Sequence, residues 1–208
     1  MPDIDRSTLR PLIVSLDLEY NQPSKRLIQI GAVIGDLTTS AVADRFSVFV
    51  NPAEALAPEI VKLCGIQQRD VDNAPDIHEA YRRLVTWLKP YKNRRSLNPL
   101  TWGGGDSEDL RGAVGLSRED LSTWVFGRRW LDVKTVFNAW RAAHQRPGDG
   151  GLAKSMTKLG LAFQGRRHNA LDDAENTFVI YMALLAQFKP EPVPVTGMQK
   201  ALGRHRAS

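Results

Sequence analysis

Cysteine is almost absent: Cys64 is the only one in 208 residues, which excludes a disulfide framework within the chain and a zinc site built on thiolates. Histidine is scarce too, with four scattered copies and no pair spaced as zinc ligands are. No apolar run approaches the roughly 20 residues that span a bilayer. Acids also stand near the N-terminus where a signal peptide would have a basic flank and an apolar core. A reduced, cytoplasmic setting away from membranes is the expectation. What remains is ordinary for one globular domain, with 42% hydrophobic residues and a length that one core can serve. The net charge of +5 permits a polyanionic partner without requiring one.

Residues 12–18 form an apolar, β-branched run, 26–34 form a second, and 45–50 alternate as Phe46, Val48 and Val50 against polar neighbours. Three consecutive strands are expected. A helical turn at 58–64 follows, then a helix from about Asp76 with Ile77, Tyr81, Leu84, Val85 and Leu88 on one face, stopped by Pro90. Leu100-Thr101-Trp102 reads as a fourth short strand opening onto three glycines. Residues 130–133 read as a fifth, feeding a helix with Val136, Phe137 and Trp140 buried. A short helix at 152–159 and a long one at 170–188 complete the list. Strands first and then alternating strand and helix indicate an α/β layered domain over 11–188. Residues 1–10 are an N-terminal extension. From 189 onward, Pro190, Pro192, Pro194 and a basic end read as a flexible tail.

The tripeptide Asp-x-Glu occurs three times, at Asp17–Glu19, Asp106–Glu108 and Asp173–Glu175. Context separates the copies. Residues two apart on a strand point to one side of the sheet, whereas on a helix they diverge by about 200°. Only Asp17 and Glu19 are therefore a natural pair of ligands; the plain alternative is a strand end whose acids are simply hydrated. Asp106 leaves the fourth strand after Trp102 and three glycines, and by itself would serve as the N-cap of a helix from Ser107. In the last helix Asn169 fits an N-cap with Asp172 as its capping-box partner. Asp173 is then left at the margin of the core, in line with Thr177, Ile180 and Leu184. His168 sits just before that helix, where an exposed loop histidine is the ordinary explanation.

Taken together, these residues resemble the DEDDh 3′-to-5′ exonucleases, and within them the Eri/KapD-like exoribonuclease branch. The resemblance covers roughly residues 11–188. It extends to Leu27-Ile-Gln-Ile-Gly-Ala-Val33, Leu63-Cys-Gly-Ile66 with Asp70-Val-Asp-Asn-Ala-Pro75, Gly151-Leu152 and Leu159-Gly-Leu161. It implies an RNase H-like fold, a mixed five-stranded sheet flanked by helices. It also implies that Asp17, Glu19, Asp106 and Asp173 bind two divalent cations, Mg²⁺ or Mn²⁺, with His168 as general base. Histidine five residues before Asp173 separates this class from a related one with tyrosine four before, a position held here by Asn169. By the same resemblance Leu18 and its backbone meet the terminal nucleotide. Two departures bear on the 3′-end pocket: Tyr20-Asn21 follows Glu19 where small residues or threonine are usual, and the segment 102–105 lacks a polar residue often found there.

The ligand so implied is a single-stranded RNA or DNA with a free 3′ end, RNA being favoured by the branch, and the products are nucleoside 5′-monophosphates. Protein partners are unknown. Arg166 and Arg167 are the first candidates for phosphate contacts, with Arg94-Arg95 and Arg128-Arg129 behind them. Of five tryptophans, Trp87 and Trp140 belong to apolar helix faces, which leaves Trp102 and Trp124 as possible stacking platforms. Two competing readings stay open. One is an inactive nucleic-acid-binding module on the same fold, and the other is an RNase H-type endonuclease with a similar acidic cluster.

Overall fold

A computed structural model describes residues 11–91, 97–117, 124–146 and 150–187. The N-terminal extension, Arg94-Arg95, Phe188 and the tail expected from 189 lie outside the described residues. The element order is β1 (Leu12–Tyr20), β2 (Leu27–Asp36), β3 (Val42–Phe49), α1 (Pro58–Cys64), α2 (Gln68–Asp72), α3 (Ile77–Leu88), β4 (Leu100–Thr101), α4 (Asp106–Ala113), β5 (Leu131–Asp132), α5 (Val133–Ala143), α6 (Leu152–Lys158) and α7 (Ala170–Leu185). The strands form one mixed sheet in the order β3-β2-β1-β4-β5. The first three are antiparallel, and β4 and β5 add in parallel to β1. All ten residues of β2 are buried, as an inner strand covered on both faces must be.

Strand alternation sorts the sequence between two cores. Val14, Leu16 and Leu18 of β1 join Ile30, Ala32 and Ile34 of β2 against Tyr81, Leu84 and Leu88 of α3. On the other face Val33 packs with Phe137 of α5, Met156 of α6, and Phe178, Ile180 and Leu184 of α7. α3 is capped as its sequence suggests, with Asp76 accepting the Glu79 N–H at 2.8 Å. It ends at Leu88, and a 3₁₀ turn carries the chain through Pro90. α2 is the one element that the sequence reading passes over. It is five residues long and held by a box in which Gln67 and Asp70 exchange side-chain and backbone bonds.

Two glycines in β2 let α7 lie directly on the sheet. A Cβ on Gly31 would fall 2.1 Å from the Ala170 carbonyl carbon and the Leu171 nitrogen. One on Gly35 would fall 2.2 Å from the Phe178 ring. Buried Gln29 completes the docking by accepting the Ala170 N–H at 3.1 Å. Gly31 is also the register partner of Asp17, so the start of α7 is laid over β1 at the level of that acid. At its far edge α7 is tied to β3, where Arg45 makes a two-pronged ion pair with Glu175, both bonds 2.7 Å long. Among the described residues no helix is long and apolar enough to cross a membrane.

Candidate active site

Asp17 and Glu19 leave β1 on the face that α7 covers, as residues two apart on a strand should. Asp173 arrives from the first turn of α7. Asp106 opens α4 as its first helical residue. Gly105, at φ +114°, takes the cap position, so the Asp106 carboxylate does not act as the N-cap. Burial, followed by the charges of Asp173, Glu19 and Asp106, holds Asp17 well above the carboxylate range. Asp17 thus lies within electrostatic reach of the other three acids. Burial pushes Glu19 up to about 7 against the pull of a Cys64 hydrogen bond, with Asp173 and Asp106 adding to the rise. Asp106 is raised to about 7 by burial and then by Asp109, and Asp173 to about 6, mainly by burial. Four acids so placed repel one another unless protons or cations neutralise them.

The residues fit a hard cation on geometric grounds as well. Asp173 Oδ2 accepts the His168 N–H at 3.2 Å, while its Oδ1 is shielded from solvent and has no hydrogen-bond partner. A buried carboxylate oxygen without a donor is costly, and a cation would satisfy it. Ligand atoms of Glu19, His168 and Asp173 lie within 4.8 Å of one another. His168 itself is exposed, in a left-handed conformation at φ +59°, and its loop is fixed to α7 through backbone bonds. Asp172 does not close a capping box on Asn169. Its Oδ2 accepts the Arg166 N–H at 2.7 Å, and Asn169 alone caps the helix by accepting from Leu171 and Asp172. The third Asp-x-Glu copy splits as helical geometry requires, with Asp173 in the cluster and Glu175 on Arg45.

The binding residues expected from sequence fare unevenly. Leu18 is 5% exposed and packs in the α3-side core, because the alternation that pairs Asp17 with Glu19 sends the residue between them to the opposite face. Trp124 is no stacking platform: it is buried among Tyr81, Phe126 and Trp130, with the Arg111 guanidinium 4.2 Å from its ring centre. Trp102 leans on Phe137 at 5.9 Å in the other core. Arg166 and Arg167 are both exposed beside His168, and Arg128 and Arg129 are exposed near a cleft of about 260 Å³ next to Asp106. The sequence marks Tyr20 only as a departure near the 3′-end pocket and gives Cys64 no place in the site. The Tyr20 hydroxyl is shielded beside Asp106 and Asp109, and burial together with those charges holds the phenol far above its ordinary range. Cys64 donates its S–H to Glu19 Oε2 at 3.3 Å, and burial pushes the thiol up to about 12.

A family profile described as Exonuclease matches residues 14–94. ERI1 exoribonuclease 2 of Danio rerio is 30% identical over 186 residues, covering 81% of this chain and 32% of that protein. The chain belongs to the DEDDh exonuclease family. It spans about a third of the length of that relative. Among solved structures, the nuclease domain of 3′hExo, a DEDDh family member bound to rAMP, superposes with a TM-score of 0.72 at 20% identity. The match covers 87% of this chain and 94% of that one. Pop2p of S. pombe, in a form with Mg²⁺ and Mn²⁺ bound, gives a TM-score of 0.65 at 16% identity over 88% and 86% of the two chains. The sheet order and flanking helices are those of this RNase H-like fold.

Proposed function

We propose that the chain removes nucleotides one at a time from the 3′ end of a single-stranded nucleic acid, RNA in preference to DNA, and releases nucleoside 5′-monophosphates. The observation that carries this reading is the meeting of Glu19 and Asp173 with exposed His168, with Asp17 and Asp106 in electrostatic reach and one carboxylate oxygen left unsatisfied. Asp17, Glu19, Asp106 and Asp173 would hold two divalent cations. Mg²⁺ or Mn²⁺ suits them, because hard ions take oxygen ligands. When bound, such cations offset charge on the scissile phosphate and make a water at the site more acidic.

The remaining chemistry belongs to the chain. His168 accepts the proton of the attacking water on a ring nitrogen, a task suited to imidazole near neutral pH. The water oxygen forms a bond to phosphorus, and the bond from phosphorus to the 3′ oxygen of the preceding nucleotide breaks. That oxygen takes a proton from solvent and becomes the new 3′-hydroxyl. The Asp173 carboxylate bonds the backbone of His168, so ligand and base are set by one group. Arg167, whose charge reaches Asp173, and exposed Arg128 are available to phosphates of the strand.

RNA is preferred because the Danio rerio relative is named an exoribonuclease and the 3′hExo domain was solved with rAMP. We also propose a cytoplasmic location, with which a chain carrying the single free thiol of Cys64 is compatible. The experiment is a comparison of linear RNA, linear DNA of the same sequence and circular RNA, each with Mg²⁺ or Mn²⁺. Linear RNA should be degraded fastest and the circle should persist. A cut circle would favour an endonuclease, and tight binding without any degradation would favour an inactive binding module.

A further inference from the structure

α1 ends in a corner that is used twice. Cys64 reaches Glu19 through its S–H, and Gly65 turns the chain in the left-handed region at φ +74°. Arg166 occupies the space a side chain would fill there. A Cβ on residue 65 would fall 1.9 Å from the guanidinium carbon and 2.0 Å from both terminal nitrogens. Near-equal separations put the planar group over the glycine rather than beside it. From the same residue, the Arg166 N–H donates to Asp172, and Gly165 before it, at φ +79°, turns so tightly that its Cβ would lie 2.4 Å from the Asp172 carboxyl carbon. Two residues later the His168 N–H donates to Asp173. The loop is thus fixed to α7 by its backbone and meets the end of α1 through the Arg166 side chain.

That side chain has a different place from its neighbour. The charge of Arg167 acts on Asp173, whereas Arg166 lies on the corner whose cysteine holds Glu19. His168 is exposed and in a conformation that residues other than glycine adopt only when their surroundings impose it. Small misplacements of a reacting group are expensive: about 1 Å can cost on the order of a hundredfold in rate. Resting on the function proposed above, we infer that Arg166 is a positioning residue. Seated on Gly65, it clasps the loop carrying His168 to the α1 corner that holds Glu19, and so registers the two sides of the acidic cleft.

The test separates a clasp from a phosphate contact. Arg166→Ala and Arg166→Lys are compared with the unaltered chain in three measurements. These are kcat and KM on single-stranded RNA, the salt dependence of RNA affinity in an Asp17→Asn background, and hydrogen exchange of residues 165–169 without metal. A clasp predicts that both variants lose roughly tenfold or more in kcat, with KM and the salt slope unchanged and faster exchange in the loop. Lysine fails to rescue because it keeps the charge but has no plane to lay on Gly65. A phosphate contact predicts retained kcat, weaker binding, a slope shallower by about 0.7 in Arg166→Ala and recovery in Arg166→Lys. That pattern, or unchanged loop exchange, overturns the clasp. If the unaltered chain degrades no RNA, the function reading fails while the exchange measurement still judges the clasp.

Discussion

At the scale of single residues, the site is a set of charges in unfavourable surroundings. Replacing His168 with alanine removes the proposed base and leaves the four acids in place. The expected result is a fall in kcat of about 10² to 10⁴-fold with RNA affinity retained, checked by steady-state kinetics beside direct binding; equal losses in both would mark a structural histidine. Asp17→Asn removes the acid whose carboxyl feels the other three. It should abolish turnover yet raise the metal-free melting temperature at pH 8, since the fold no longer has to bury that carboxyl either charged or at the cost of taking up a proton. A lower melting temperature would contradict the account of the cluster. The pairing of Asp17 with Glu19 was legible in the sequence because strand alternation is strict, and the same rule sends Leu18 to the opposite core. The roles of Asp172 and Cys64 were not legible. Asp172 spends its carboxylate on Arg166 instead of the capping box its spacing suggests, and Cys64 meets Glu19 across 45 residues of sequence.

At the scale of elements, the decisive contact is the seat of α7 on β2. Gly31→Ala would drive a methyl group into the backbone at Ala170 and Leu171, which cannot yield as a side-chain tip can. Overpacking of this kind costs about 1–3 kcal/mol, or roughly 2–12 °C in melting temperature for a chain of this size. Activity should fall further than stability, because α7 carries Asp173. A variant with unchanged melting and turnover would show that the helix does not bear on Gly31. Asn169→Ala removes the cap that accepts from Leu171 and Asp172 and should cost about 1 kcal/mol. Long periodic elements such as α3 and α7 were readable from their apolar spacing and caps. α2 was not, since five residues give no period, and Trp124 was misjudged because only the folded chain brings Tyr81, Phe126 and Trp130 around it.

At the scale of the whole molecule, the acidic cleft makes metal-free stability depend on pH. Glu19 and Asp106 rise to about 7 and Asp173 to about 6, from ordinary values of 4.5, 3.8 and 3.8. Raised carboxylates stabilise fully below their unfolded values, and that contribution is lost as pH climbs through the folded ones. The metal-free melting temperature should therefore fall between about pH 4 and 7, and saturating Mg²⁺ should flatten the decline. Asp44 acts oppositely in a lower window: Tyr91 and Trp87 hold its carboxyl below the usual range, so its contribution disappears only in stronger acid. A metal-free melting temperature that rises steadily from pH 4 to 8 would refute the charge balance. The central claim is that these acids and His168 hydrolyse RNA from its 3′ end. It is tested most directly by following single-stranded RNA labelled at its 5′ end, with Mg²⁺, against the unaltered chain and Asp17→Asn. The account predicts a ladder that shortens one nucleotide at a time and vanishes in the variant; internal cuts, or an equal ladder from the variant, would contradict it.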